Sequence, residues 1–319
     1  MIGNVTVLIC TRNGLSRGFL QEAIRSVHEQ TAVPAEIILV DDGSTDGTAS
    51  EMRRAYPDVI VLSNAGSGLA AARNTGIRAA RSEWIAFIDD DDVWHRTKLL
   101  EQLTQAGESD KPESTIWAGR TAIIGANRGT PVPEPVQVQF ASWPACLLRC
   151  PVTPSGVLLS RGLLQRTGPF NESLRSGSAY EYWIRCLAAG ATVRFSENVL
   201  VSLRRHRPQM TDPSNLVSTT LTIHAFLSPY IATLPGVLAT RIILGRILTD
   251  LRMCSLRLGV SSAARIWSET PLRPACLDIR ACCYVALDSV AARGPRALGD
   301  LLRNAGVRLL LGEFQCPDS

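Results

Sequence analysis

Residues 84–94 read WIAFIDDDDVW, an apolar run closed by four consecutive aspartates. Clustered carboxylates repel one another and are costly to bring near a low-dielectric interior. Either the run is a solvated acidic turn or something neutralises it. With no His or Cys companion inside the run, it is a poor zinc site. It suits a hard divalent cation, Mg2+ or Mn2+, held by carboxylate oxygen and shared with a diphosphate. Such a cation would act as a Lewis acid on a departing phosphate. Two further polar clusters, TRNG (11–14) and DDGS (41–44), also follow apolar runs. AGSGLAAARN (65–74) lacks the GK[ST] ending of a phosphate-binding P-loop and matches GxGxxG only at Gly66 and Gly68, so a dinucleotide site is not indicated.

The elements that must position these clusters alternate in period. VTVLIC (5–10), EIILV (36–40), VIVL (59–62) and WIAFI (84–88) are continuous apolar runs, as strands buried on both faces require. FLQEAIRSVHEQ (19–30) puts Phe19, Ala23, Ile24 and Val27 on one helical face, and GLAAARNTGIRAA (68–80) has helical composition. Ser44, Thr45 or Asp46 could cap a helix after the second strand. This alternation predicts an α/β fold with a mostly parallel sheet flanked by helices. Ligands of such sheets bind beyond the carboxyl ends of the strands, so the three polar clusters should meet at one edge. Downstream, GTPVPEPVQVQ (129–139) reads as an exposed hairpin or loop, ASWPACLL (141–148) as a helix, and PSGVLLSRGLL (154–164) as a strand followed by a helix.

From about residue 213 the pattern is largely helical. In 234–258, Arg241, Arg246, Arg252 and Arg257 punctuate an apolar helix, which reads as a core helix with snorkelling arginines. The alternative is contact with a membrane surface, or with a second copy in a homo-oligomer, through these C-terminal helices. Trp94 and Trp183 read as packing residues, and His28 and His224 as structural or exposed.

The chain has 319 residues, enough for one large domain or two smaller ones, and its net charge of +4 requires no nucleic-acid partner. Lys98 and Lys111 are the only lysines among 33 basic residues, so the abundance of arginine says little about phosphate binding. Nine cysteines without a CxxC pair argue against a disulfide framework and a zinc site, and Cys10 reads as a small buried hydrophobe. No secretory signal and no apolar run of about 20 residues is evident, so a cytoplasmic location is expected, with the inner face of the membrane as the place of any peripheral contact.

The succession VLICTRNG, SVHEQT, EIILVDDGSTDGT, GLAAARNTGIRAARSEWIAFIDDDDVW, GPFNE, YEYWIR and RRHRPQMT resembles the family 2 glycosyltransferases of the GT-A (Rossmann-like) fold over the first two-thirds of the chain. The resemblance implies a GT-A domain over 1–212, with a nucleotide-sugar-binding half (1–100) and an acceptor-side half (101–212), followed by a helical C-terminal region over 213–319. It also implies an inverting transfer from a nucleotide diphosphate sugar, usually UDP-linked, to a hydroxyl of a saccharide or small-molecule acceptor, with Mg2+ or Mn2+. On this sequence it puts Thr11, Asp42 and Arg73 among the nucleotide contacts. Asp89 and Asp90 fall on the ribose side, Asp91 at the metal-ligand position, and His206 where the diphosphate or the metal shell is held.

One departure concerns the reaction itself. The family's usual general-base aspartate aligns with Ala179 in SAYEYWIR (178–185), leaving Glu181 as the nearest acid. Two other readings therefore stand beside transfer: a nucleotide-sugar-binding protein with impaired or no turnover, and a sugar-phosphate nucleotidyltransferase. VLICTRNG lacks the glycine-rich basic loop that the last of these would carry.

Overall fold

The apolar run VTVLIC lies within β1 (Gly3–Thr11), which is hydrogen-bonded on both sides to parallel strands, β2 (Pro34–Asp41) and β4 (Trp84–Asp89). β3 (Val59–Ser63) adds to β2, also parallel. The structure, a computed structural model, describes residues 3–125, 128–134, 138–206, 216–236, 238–239, 242–243, 245–247, 250 and 260–272. The chain divides into two units, the first made of 1–142 with 151–207 and the second of 143–150 with 208–319.

In the first unit the sheet order is β3-β2-β1-β4-β8-β6-β9-β5, with β7 (Arg128–Pro133) paired to β6 (Thr115–Gly125). The expected mostly parallel sheet holds only for the first four strands. Beyond β4, β8 (Val157–Ser160) runs antiparallel to both its neighbours, β4 and β6, and β5 (Val93–Trp94) is antiparallel to β9 (Thr192–Arg205). β9 returns parallel to β6, so the sheet is mixed. The order also reverses at β1: the chain steps outward through β2 and β3, then returns to place β4 on β1's other side. This opens a crevice beyond the ends of β1 and β4.

Helices α1 (Gly14–Arg17), α2 (Leu20–His28), α3 (Thr48–Ala55), α4 (Leu69–Ala79) and α5 (Lys98–Gly107) accompany this half. α2 buries Leu20, Ala23, Ile24 and Val27 in the core with Val5, Val7 and Ile9. α4 lies so close to β1 that a Cβ at Gly76 would sit 1.9 Å from Leu8 Cδ1. Helices α6 (Arg161–Thr167) and α7 (Ser178–Ala188) follow β8. ASWPACLL does not form the expected helix: only a 3-10 turn, Ala145–Leu147, is present, following Pro144, which lacks an N–H to donate.

Cys10 and Trp94 are buried, and burial pushes the Cys10 thiol up to about 12. Lys98 is fully buried, its Nζ over the Trp94 ring at 4.0 Å and donating to Val157 O at 3.4 Å. Burial holds its pKa well below the usual lysine range. The native state therefore binds fewer protons here than the unfolded chain, and stability is lost as pH falls from the unfolded value of 10.5 toward the depressed native one. Lys98→Met should raise stability at pH 7 by about 1–4 kcal/mol and flatten the rise toward pH 10. Urea unfolding at both pH values checks this; a less stable variant with the parental pH slope would contradict it.

In the second unit, α8 (Leu216–Ala232) carries His224, which is fully buried. Its ring nitrogens bond to Thr270 Oγ1 and Asp250 Oδ2, each at 2.8 Å. Arg246 does not snorkel: it is buried, donating to Asp250 Oδ2 at 2.6 Å and to Leu148 O at 3.1 Å. Arg241, Arg252, Arg257 and most of 213–319 lie outside the described residues. Among the described residues, no helix is long and apolar enough to cross a membrane.

Candidate functional site

The polar clusters after β1, β2 and β4 do converge. Asp42 N donates to Thr11 O at 2.8 Å, and Asn13 N to Ser44 Oγ at 2.8 Å. Thr11 Oγ1 donates across the β1/β4 crevice to Asp90, which Arg17 also pairs. A Cβ at Gly14 would meet Thr11 Oγ1 at 2.5 Å, so only glycine lets α1 start this close. None of the three candidate caps is the N-cap of α3, which is Gly47 in a left-handed conformation. Asp46 still accepts from Thr48 N at 3.1 Å and Ser16 N at 2.9 Å. Burial opposes ionisation, yet hydrogen bonds from Thr48 and Ser16 bring the Asp46 carboxyl down to about 2.

Asp42 faces a cavity of about 630 Å³ lined also by Arg12, Asn64, Gly68, Glu172 and Arg175. Its Oδ1 accepts from Asn64 Nδ2 at 2.6 Å and from Gly68 N at 2.9 Å. Asn64 is itself fixed, its Oδ1 accepting from Gly66 N and Thr75 Oγ1, each at 3.2 Å. Sequence reasoning passed over Asn64 and weighed Gly68 only as part of an incomplete GxGxxG. The rule that found the other clusters, polar residues at the carboxyl end of an apolar run, applies to SNAGSG (63–68) at the end of β3 as well.

The four aspartates are not a bare acidic patch. Arg73, buried in α4, pairs with Asp89 Oδ1 at 3.0 Å. Asp90 is held by Thr11 and Arg17, and Asp92 accepts from Ser155 Oγ at 2.5 Å and Arg204 N at 2.9 Å. Asp91 is half-buried and faces His206 Nε2 at 2.9 Å. Burial pushes Asp90 up to about 6, against the pull of Arg17 and Thr11. Burial also raises Asp89 and Asp92, and the Asp91 charge adds to both. Arg73 and Arg17 thus counter the charge of two of the four aspartates within the protein itself.

Among the described residues, no group of three or more His, Cys, Asp and Glu side chains forms a metal cage. Asp91 and His206 offer one carboxylate and one imidazole. The carboxylate suits Mn2+ or Mg2+, while the softer imidazole fits Mn2+ better than Mg2+, with the remaining positions left to substrate oxygens and water.

Behind the cavity, Asn74 clamps GPFNE: its Nδ2 donates to Phe170 O at 2.9 Å and Glu172 Oε1 at 2.8 Å, and Phe170 N donates back to Asn74 Oδ1. Phe170 stacks on Tyr182 with centroids 4.1 Å apart, and Trp183 is fully buried. Ala179 is half-buried in the first turn of α7. Glu181 is buried, both its oxygens accepting from Arg185 at 2.9 Å, while Arg185 also donates to Thr167 O and Pro169 O.

The class that the fold defines is a GT-A α/β fold, here with a cavity of about 630 Å³ at the strand ends. Residues 6–136 match the model of "Glycosyl transferase family 2". An uncharacterized glycosyltransferase of Rickettsia felis is 27% identical over 64% of this chain and 35% of its own length. One of Rickettsia prowazekii is 27% identical over 65% of this chain and 66% of its own. The chain thus spans between about a third and two-thirds of the length of these relatives. The crystal structure of S. aureus TarS 1-349 in complex with UDP-GlcNAc superposes with a TM-score of 0.62 at 15% identity, over 94% of this chain and 91% of that one, which shows the shared fold.

Proposed function

We propose that the protein is an inverting glycosyltransferase that moves a sugar from a nucleotide diphosphate sugar, with UDP as the carrier, to a hydroxyl of a saccharide or small-molecule acceptor. The observation that carries this is the Asp42 cavity, which opens at the same sheet edge as the acidic run. Asp42, fixed by Asn64 and Gly68, reads the base as an acceptor-only group for the uracil imide N–H. Thr11, Arg73, Asp89 and Asp90 do not line that cavity; they would stand on its ribose side, bonded to one another at the ends of β1 and β4. Asp91, with His206, would hold Mg2+ or Mn2+. When bound, that cation supplies charge neutralisation for the departing diphosphate.

Base reading by Asp42 is tested by Asp42→Asn, which presents a mixed donor and acceptor. Loss of a charged hydrogen bond costs about 1.5–3 kcal/mol, or ~10- to 100-fold in UDP affinity by calorimetry. Unaltered affinity would remove Asp42 from the base site. The proposed reaction itself is tested by incubating candidate sugar nucleotides with Mn2+ and an acceptor pool, then following UDP release and glycosylated product by mass spectrometry.

A second reading, donor binding without appreciable turnover, is favoured by one observation. Ala179 offers no proton acceptor, and Glu181 is held in a two-bond pair with Arg185. Tight UDP-sugar binding with no product for any acceptor would decide for it.

A further inference from the structure

We infer that Arg204 is a positioning residue that sets the Asp91–His206 pair for the donor diphosphate, an inference that rests on the reading of Asp91 given above. Arg204 is 1% exposed near the end of β9. A buried guanidinium is costly unless its N–H groups are met, and here each nitrogen finds an acceptor. Nε donates to Asp91 O at 2.9 Å, Nη1 to Gly125 O at 3.3 Å, and Nη2 to Glu22 Oε2 at 2.6 Å. Its backbone N–H binds Asp92 Oδ1. One residue of β9 therefore grips the acidic loop twice, by the main chain of Asp91 and the side chain of Asp92.

The same residue also places the other half of the pair. His206 follows two positions later and bonds to the Asp91 carboxylate. Phe19 lies against both, 4.6 Å from the Arg204 guanidinium and 4.7 Å between ring centroids for His206. The Asp91 carbonyl and the His206 ring are thus located by one guanidinium and one aromatic face. A purely structural need at this spot would be met as well or better by an apolar side chain of similar volume. What the guanidinium adds is a planar fork that spans three acceptors at once, which a single ammonium cannot do. Groups that orient a metal ligand typically account for about 10–100-fold in metal affinity.

The test compares Arg204→Met, Arg204→Lys and the double variant Glu22→Gln/Arg204→Met, which leaves no unpaired charge behind. UDP affinity is measured by calorimetry in Mn2+ and in EDTA, with thermal unfolding alongside. We expect the folded variants to lose about 10–100-fold of affinity in Mn2+ and none in EDTA, because the Asp42 end is untouched. Arg204→Lys should recover the unfolding temperature without recovering the Mn2+-dependent gain. An intact Mn2+ gain in any folded variant, an equal loss in Mn2+ and EDTA, or failure of all three to fold would overturn the inference. Asp91→Ala, measured in parallel, separates the causes. If it too keeps the Mn2+ gain, the reading of Asp91 fails; if it alone loses the gain, only the role of Arg204 does.

Discussion

Ala179→Asp is expected to raise the rate of sugar transfer by about 10²–10⁴-fold, the usual contribution of a positioned general base, with little change in donor affinity. Displacement at the anomeric carbon releases the acceptor hydroxyl's proton, and an alanine methyl cannot take it. The position tolerates the change, because Ala179 is half-buried in the first turn of α7, where a carboxylate meets the favourable end of the helix dipole. The unfolding temperature should therefore hold or rise slightly. The rival base is Glu181. As it stands, Glu181 would have to leave Arg185, and Arg185 ties α7 to the carbonyls of Thr167 and Pro169. Glu181→Gln should accordingly lower stability more than turnover. If it abolishes turnover in a folded protein while Ala179→Asp adds nothing, Glu181 is the base. Initial rates of UDP release for both variants with one acceptor, together with their unfolding temperatures, decide between them.

Asp91→Ala is expected to abolish the metal-dependent part of UDP-sugar binding and to leave the fold intact. The loss should exceed the roughly 10–100-fold typical of removing a group that only orients a ligand, because a donor atom itself is removed. The fold survives because the loop is anchored through other atoms: Arg204 holds the Asp91 carbonyl, and Asp92 binds Ser155 and Arg204 N. Calorimetry in Mn2+ and in EDTA, with a thermal melt, measures both. Equal binding of parent and variant in Mn2+ would end the assignment of Asp91 to the metal.

The parallel half of the sheet, and the edge where its polar clusters meet, can be read directly from the chain. VTVLIC, EIILV and WIAFI are unbroken apolar runs because those strands are buried on both faces, a property that a single segment displays, whereas VIVL became the edge strand β3 with Ile60 exposed. The rule that ligands gather beyond strand carboxyl ends then placed TRNG, DDGS and DDDD together, before any contact between them was known. β6 and β9 were not legible in the same way. β9 carries Arg194, Glu197, Arg204 and Arg205, and its pattern of buried and exposed positions depends on partners far away in the chain. The direction of β8 was equally hidden, since a short apolar strand pairs either way and its neighbours choose.

How the aspartates divide is settled by long-range packing alone. In the sequence they are four equal charges in a row. In the fold, Arg73 comes from α4, Arg17 from α1, Ser155 from the turn before β8, and Arg204 and His206 from the end of β9. Each partner is 16 to 115 residues away from its aspartate. No local pattern encodes such a pairing, because the carboxylate's own neighbourhood looks the same whichever cation the fold delivers. The fate of Glu181 shows the reverse case. Its partner Arg185 is only one helical turn on, so the i,i+4 spacing in YEYWIR already held the ion pair that occupies the nearest acid to Ala179.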